Sequence, residues 1–181
     1  MSRPPVPARA VTIEIRPATQ EDSERLALVH VRSWQAGYRG LLPDAFLDSM
    51  SVTGRADRWR ARLAEGGSTV TVALLDGALV GFATVGPSRD ADLPAADWLE
   101  LQSCYLLPGA WGSGVATELA RRALPADRRL FLWVLAGNLR AQGFYRKLGF
   151  APDGTGKPIA IGAVTVPEVR WRCDRPKVRD R

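Results

Sequence analysis

The sequence of 181 residues contains one histidine, two cysteines, two methionines and three tyrosines. The single histidine, His30, cannot build a histidine-rich metal site. No serine or carboxylate pattern around it makes a catalytic triad, so a structural role is expected. Cys104 and Cys173 lie in strand-like surroundings without metal-ligand spacing and are too few for a disulfide framework; a reducing cytoplasm fits them better. No apolar run approaches the ~20 residues of a membrane-spanning helix, so no such helix is expected. The N-terminal MSRPPVPARA lacks the apolar centre of a secretion signal and reads as a short disordered arm over residues 1–10. No internal repeat is visible.

What is present is ordinary for a soluble domain: 46 % hydrophobic and 24 % charged residues, on a chain long enough to bury one core, read here as a single domain over residues 11–174. The net charge is +6. Part of that excess sits in the C-terminal RCDRPKVRDR, whose end (175–181) reads as a basic tail. A solvated basic surface explains the charge, and so does an anionic ligand such as a phosphorylated cofactor. No basic stripe interleaved with aromatics appears, which speaks against nucleic acid.

Along the chain, VTIEIR alternates before Pro17 and reads as a strand. Thr19 and Asp22 form a capping-box start to a helix that is interrupted at Gly37 and Gly40. A short helix follows Pro43, and a third stops at Gly66-Gly67. STVTVALL, Asp76-Gly77 and ALVGFATV make a hairpin. The loop GPSRDADLPAAD carries Asp90, Asp92 and Asp97. WLELQSCYLL is a long strand, with Leu99, Leu101, Ser103, Tyr105 and Leu107 on one face and Trp98, Glu100, Gln102, Cys104 and Leu106 on the other. A helix then runs to about Leu124, LFLWVLA is a buried strand, and Asn138–Leu148 is a helix with Asn138 as N-cap and Gly149 just past its end. Two more strands close the chain. The order is mixed α/β: a mostly antiparallel central sheet of about seven strands flanked by helices.

Ala110–Ala116, AWGSGVA, opens a helix. Successive backbone N–H groups at a helix N-terminus form a concave anion site, and glycines let an anion approach closely. The same residues also make an ordinary turn. A Walker loop is excluded because Val115-Ala116-Thr117 replaces its Gly-Lys-Ser/Thr ending. A dinucleotide fingerprint is excluded because its third glycine and downstream acid are missing. In NLRAQGFYRKLGF, the residues Ala141, Phe144, Tyr145 and Leu148 make one buried stripe, on which Tyr145 reads first as a core aromatic.

Taken together, LELQSCYLLP running into AWGSGVATELARRAL, then LFLWVLAGN, then N-x-x-A-x-x-F-Y-x-K-L-G-F from Asn138 to Phe150, resemble the GNAT superfamily of N-acetyltransferases. The resemblance spans about residues 13–150. HVRSWQAGYRGLLPD further resembles a bacterial branch of that superfamily with varied substrates. One departure is Trp111, where the broad pattern has Arg or Gln; this removes a polar side-chain contact and leaves the backbone cradle.

The resemblance implies the GNAT-like fold and acetyl transfer from acetyl-CoA to a primary amine of a small molecule, amino acid or peptide, by direct attack without a covalent enzyme intermediate. It places the pyrophosphate on backbone N–H groups across Trp111, Gly112, Ser113, Gly114, Val115 and Ala116. The pantetheine arm would lie along Leu106, whose N–H would also stabilise the tetrahedral oxyanion, and against Asn138. Tyr145 becomes the acid that protonates the leaving thiolate. A lysine-like amine is free base in only roughly one molecule in two thousand at pH 7, so a base is useful. Glu100 is the candidate, the alternative being a strand-end glutamate that is exposed or paired with arginine. Trp34 and Tyr38 either line the acceptor pocket or pack on the sheet. The three loop aspartates attract a cationic amine or are simply solvated, and Cys104 is expected to be inert. Members are often homodimers. A non-catalytic acyl-CoA sensor on the same fold is the competing reading.

Overall fold

The computed structural model describes residues 11–174; the expected arm and basic tail lie outside them. Strand β1 (Ile13–Pro17) leads into a 3-10 turn, where the Asp22 carboxylate accepts the Thr19 backbone N–H at 2.8 Å. Asp22 also takes both terminal nitrogens of Arg16, at 2.7 and 2.9 Å, so the expected helix start is built with an arginine added. Helices α1 (Ser23–Gly37), α2 (Asp44–Asp48) and α3 (Val52–Glu65) follow. The Ser51 hydroxyl caps α3 by accepting the Gly54 N–H at 3.2 Å.

Strands β2 (Thr69–Leu75) and β3 (Ala78–Pro87) form the expected hairpin. Asp76 and Gly77 both have positive φ, 49° and 82°, as a two-residue turn that matches strand twist requires. Then come β4 (Trp98–Leu106), α4 (Val115–Ala123), β5 (Arg129–Leu135), α5 (Leu139–Lys147), β6 (Ala151–Ile161) and β7 (Val164–Cys173). No helix among the described residues is long and apolar enough to cross a membrane.

The sheet has seven strands in the order β1-β2-β3-β4-β5-β7-β6. All its pairings are antiparallel except β4 with β5. Burial organises both faces. Val70, Val72 and Leu74 of β2 pack with Leu26, Val29, Trp59 and Phe82 under α1 and α3. Ala73, between them in sequence, joins Val115, Leu119, Tyr145 and Leu148 under α4 and α5.

Strand β4 departs from the simple alternation expected of it. Thr84 lies opposite Ser103 while the next residue, Val85, lies opposite Leu101, so Gln102 is an inserted bulge residue. One extra residue reverses which face each later side chain occupies. Leu99 and Leu101 therefore share a core cluster with Cys104 and Leu106, and Tyr105 joins Phe82 on the other side. The face expected to carry Leu101 and Tyr105 together is split by this bulge.

Strands β4 and β5 pair only over Trp98–Glu100 and Arg129–Phe131. Beyond that point β4 stays with β3 as far as Leu106, while β5 stays with β7 as far as Leu135. The two strands splay apart, and the sheet opens between them.

Candidate active site

The opening leads into a cleft of about 1250 Å³, larger than the pocket of a single drug-sized ligand. Its wall includes Trp34, Tyr38, Glu100, Leu106, Trp111, Gly112, Gly114, Ala116, Asn138 and Tyr145. Of the expected site residues, Ser113 and Val115 are not on the wall. Ser113 turns its hydroxyl to the Ala110 carbonyl at 2.7 Å, and the Val115 side chain is fully buried in the core.

The turn before α4 is left-handed at Gly112 (φ 77°) and Gly114 (φ 88°), a conformation that strains any residue with a Cβ. The expected run of six free N–H groups is shorter in the structure. The Trp111 and Ser113 N–H groups bond back to the carbonyls of Pro108 and Ala110, and that of Val115 reaches the Ser113 hydroxyl at 3.4 Å. The N–H groups of Gly112, Gly114 and Ala116 have no acceptor among the described residues. Three donors at the positive end of a helix remain, facing the cleft.

At the other side of the splay, the Leu107 N–H donates to the Val80 carbonyl of β3 at 2.8 Å. Strand alternation therefore turns the N–H and C=O of Leu106 into the gap. The Leu106 carbonyl is met there by the Trp111 indole N–H at 3.1 Å, and the Arg140 guanidinium stacks 3.4 Å from the Trp111 ring centre. Trp111 thus ties the glycine turn to the end of β4 and to the start of α5, a contact that Arg or Gln would make differently.

The N-cap of α5 forms as expected: the Asn138 side-chain oxygen accepts the Ala141 N–H at 3.1 Å. Tyr145, two turns on, is buried yet reaches the cleft. Burial holds its phenol well above the usual tyrosine range, with smaller contributions from Cys104 and Tyr38, so it keeps its proton. Burial likewise pushes the Cys104 thiol up to about 12, which makes a poor nucleophile at neutral pH. Tyr38 and Tyr105 place their hydroxyls 3.4 Å apart. Trp34 packs edge-on to Tyr38, with ring centres 4.8 Å apart. Both are packed in an apolar cluster and both line the cleft.

His30 lies behind this wall, its ring 5.2 to 6.0 Å from those of Trp34, Trp59, Phe82 and Tyr105. Neither ring nitrogen has a hydrogen-bond partner among the described residues. Burial, helped by Arg55 and Arg62, lowers its pKa to about 3, and the ring is neutral.

Three carboxylates line the cleft: Asp90, Glu100 and Glu168. Glu100 is 3 % exposed and takes a two-pronged pair from Arg89, at 2.6 and 2.7 Å. Asp90 accepts from Arg170 at 3.0 Å and from the Trp133 indole at 3.0 Å. Arg170, itself buried, also holds Asp92 at 2.7 Å and Asp153 at 2.8 Å. Asp90 is largely covered, whereas Asp92 stays solvent-exposed while paired with Arg170; both fasten their loop to β7. Asp97 is exposed. Glu168 has no hydrogen-bond or ion-pair partner among the described residues, and burial raises its pKa above the ordinary carboxylate value.

The family model described as "Acetyltransferase (GNAT) family" matches residues 30–150. The chain belongs to the GNAT acetyltransferase family. A probable N-acetyltransferase of Mycobacterium tuberculosis is 29 % identical over 173 residues, covering 90 % of this chain and 94 % of the relative. An uncharacterized N-acetyltransferase of the same species is 31 % identical over 148 residues, covering 78 % and 90 %. Among solved structures, the PaiA N-acetyltransferase of Thermoplasma acidophilum in complex with coenzyme A has a TM-score of 0.66 at 21 % identity, covering 90 % of this chain and 99 % of its own. A putative acetyltransferase of Salmonella typhimurium, YncA, with its cofactor acetyl-CoA, has a TM-score of 0.65 at 18 % identity, covering 94 % and 96 %. These last two establish the shared fold.

In this GNAT chain several wall residues carried no recognisable signal in the sequence. Arg89, Tyr105, Trp133, Arg140, Lys157 and Glu168 reach the cleft from six different segments. For Glu168 the only local hint is an acid inside the strand VTVPEVRWRC, and a strand acid points as readily to solvent.

Proposed function

We propose that the protein transfers an acetyl group from acetyl-CoA to the primary amine of a small molecule, amino acid or peptide, by direct attack. The observation that carries this reading is the continuous path from the Leu106 backbone, turned into the β4–β5 gap, to the three unpaired N–H groups of Gly112, Gly114 and Ala116. A polar backbone edge of this kind suits an amide-bearing arm, and a helix N-terminus with free donors suits a pyrophosphate. The residues present fit the group.

Acetyl-CoA supplies an activated acyl group on a thiol that leaves readily. The chain's own residues do the rest. The Leu106 N–H is the donor available to a carbonyl oxygen in the gap. Tyr145, holding its proton, is the donor for the departing sulfur. Asn138 holds the start of α5 against the cleft with its side-chain oxygen, and its side-chain NH2 is the group left for the cofactor arm. Trp34 and Tyr38 bound the acceptor end. Glu100 enters as the anchor of Arg89: with both oxygens accepting from one guanidinium, it has little left to offer a substrate amine. Of its two expected roles, the geometry favours the paired one.

The test is titration with acetyl-CoA, followed by tryptophan fluorescence, and then a thiol-release assay over a panel of amines. Binding with turnover supports the reading. Failure to bind acetyl-CoA overturns it, and tight binding without turnover on any amine makes the chain an acyl-CoA sensor. Tyr145→Phe is expected to lower kcat by about 10²-fold, the low end for a general acid, with acetyl-CoA affinity unchanged. An unaltered kcat removes Tyr145 from the chemistry.

A further inference from the structure

The acceptor end of the cleft is formed where the β6–β7 hairpin packs on α1 and α2. Trp34, Tyr38, Phe46, Ile159 and Ile161 belong to one apolar cluster there, and all five face the cleft. A pocket with such walls takes an apolar or aromatic body, and its specificity is set by the few polar groups that interrupt it.

Those polar groups are unequally committed. Glu100 is occupied by Arg89, and Asp90 by Arg170 and Trp133. Lys157, the cross-strand partner of Glu168, is engaged elsewhere: its ammonium lies 3.8 Å from the Trp133 ring centre and 4.0 Å from Asp90. Glu168 is half-buried on the same wall, with no donor among the described residues. A carboxylate in that state lacks the partner that semi-buried charges normally have.

We propose that Glu168 receives the acceptor: its carboxylate binds the ammonium of a primary amine carried on an apolar or aromatic body, and removes one proton from it. This rests on the acetyl-transfer reading above. In the step, one N–H bond of R–NH3⁺ breaks and an O–H bond forms on Glu168, leaving neutral R–NH2 and a neutral acid. The nitrogen then bonds to the acetyl carbon as the carbon–sulfur bond breaks. Tyr145 gives its proton to the departing sulfur, and the second proton that nitrogen loses passes through water to restore the Tyr145 phenol. Glu168 returns its proton to solvent, and charge balances throughout.

The charged groups around Glu168 set its poise. Burial raises its pKa, and Glu100 and Asp90 raise it further, whereas Lys157 and Arg89 lower it. The three carboxylates of the cleft are thereby separated into two clamped structural ones and one available one, a division of labour that acid–base sites use generally.

The experiment compares wild type with Glu168→Gln, which keeps shape and removes the charge. Melting temperature and acetyl-CoA affinity serve as controls, and both are expected to be unchanged. With 2-phenylethylamine, protonated at neutral pH, kcat/KM is expected to fall at least 10²-fold. With aniline, uncharged at neutral pH, the loss is expected to stay under about tenfold, since no ammonium has to be neutralised. In parallel, binding of 2-phenylethylamine to the coenzyme-A-bound protein is measured without turnover, and Glu168→Gln is expected to weaken it about tenfold, the scale of one charged hydrogen bond. A rate on 2-phenylethylamine within threefold of wild type overturns the proposal, as does an equal loss on both amines. Turnover of neither amine by the wild type excludes these two as acceptors and leaves the acetyl-transfer reading to the amine panel above. The binding arm then decides alone: no measurable binding by wild type, or equal binding by the variant, overturns the role of Glu168.

Discussion

His30, neutral and without a hydrogen-bond partner among the described residues, makes a quantitative claim about acid stability. Its pKa falls from 6.5 to about 3 on folding. The unfolded chain therefore binds a proton that the folded chain refuses, and stability is lost as pH drops through the window from 6.5 towards 3. Above 6.5 the contribution is intact. At pH 5 the loss comes to about 2 kcal/mol, and at pH 3 the full difference approaches about 5 kcal/mol. For a domain of this size, about 2 kcal/mol lowers Tm by roughly 4–8 °C between pH 7.5 and 5. Because the chain has a single histidine, the imidazole resonances of untagged protein report His30 alone by NMR. Those resonances should not shift between pH 7.5 and 4.5. Thermal unfolding of His30→Phe, which keeps an aromatic ring among its four neighbours, should lack most of the wild-type decline across that range. A histidine titrating near 6.5 in the folded protein, or a variant whose Tm falls with pH as steeply as wild type, would refute the reasoning.

Three other outcomes are expected. Gly114→Val forces a β-branched residue into φ 88° at the head of α4, and should weaken acetyl-CoA binding at least tenfold in a fluorescence titration. Arg170→Leu leaves Asp90 and Asp153 without their shared cation and should cost about 3–5 kcal/mol in urea unfolding. The Arg16 fork holds the Asp22 carboxyl down at about 2. This stabilises the fold by about 2 kcal/mol above the ordinary carboxylate pKa, and the gain is lost as pH falls through about 2. Asp22→Asn should be less stable at pH 7 and lose correspondingly less on going from pH 4 to pH 2, as read by circular dichroism.

Much of the fold was legible because its signals are local. The Asp76-Gly77 turn, the Asn138 cap and the Gly66-Gly67 stop each depend on the φ or hydrogen-bonding capacity of one or two residues. Hydrophobic alternation placed the strands for the same reason. It failed within β4, where one bulge at Gln102 exchanges the faces of Tyr105 and Leu106, because a bulge depends on the register with β3 and not on the strand's own pattern. The glycine turn was recognised, but which of its N–H groups stay unpaired depends on the carbonyls of Pro108 and Ala110 folding back beneath it.

The sequence by itself determined the order of elements, the helix that presents Tyr145, and the left-handed glycines before α4, since each follows from propensities acting over a few residues. Tertiary structure alone decided the distribution of charge in the cleft. Arg89 reaches Glu100 from a neighbouring loop, Arg170 gathers Asp90, Asp92 and Asp153 from two distant segments, and Trp111 closes on Arg140 across the opening. With those pairs made, Glu168 has no hydrogen-bond or ion-pair partner among the described residues. A long-range ion pair depends on where strands and loops meet in space, and no spacing along the chain encodes that meeting.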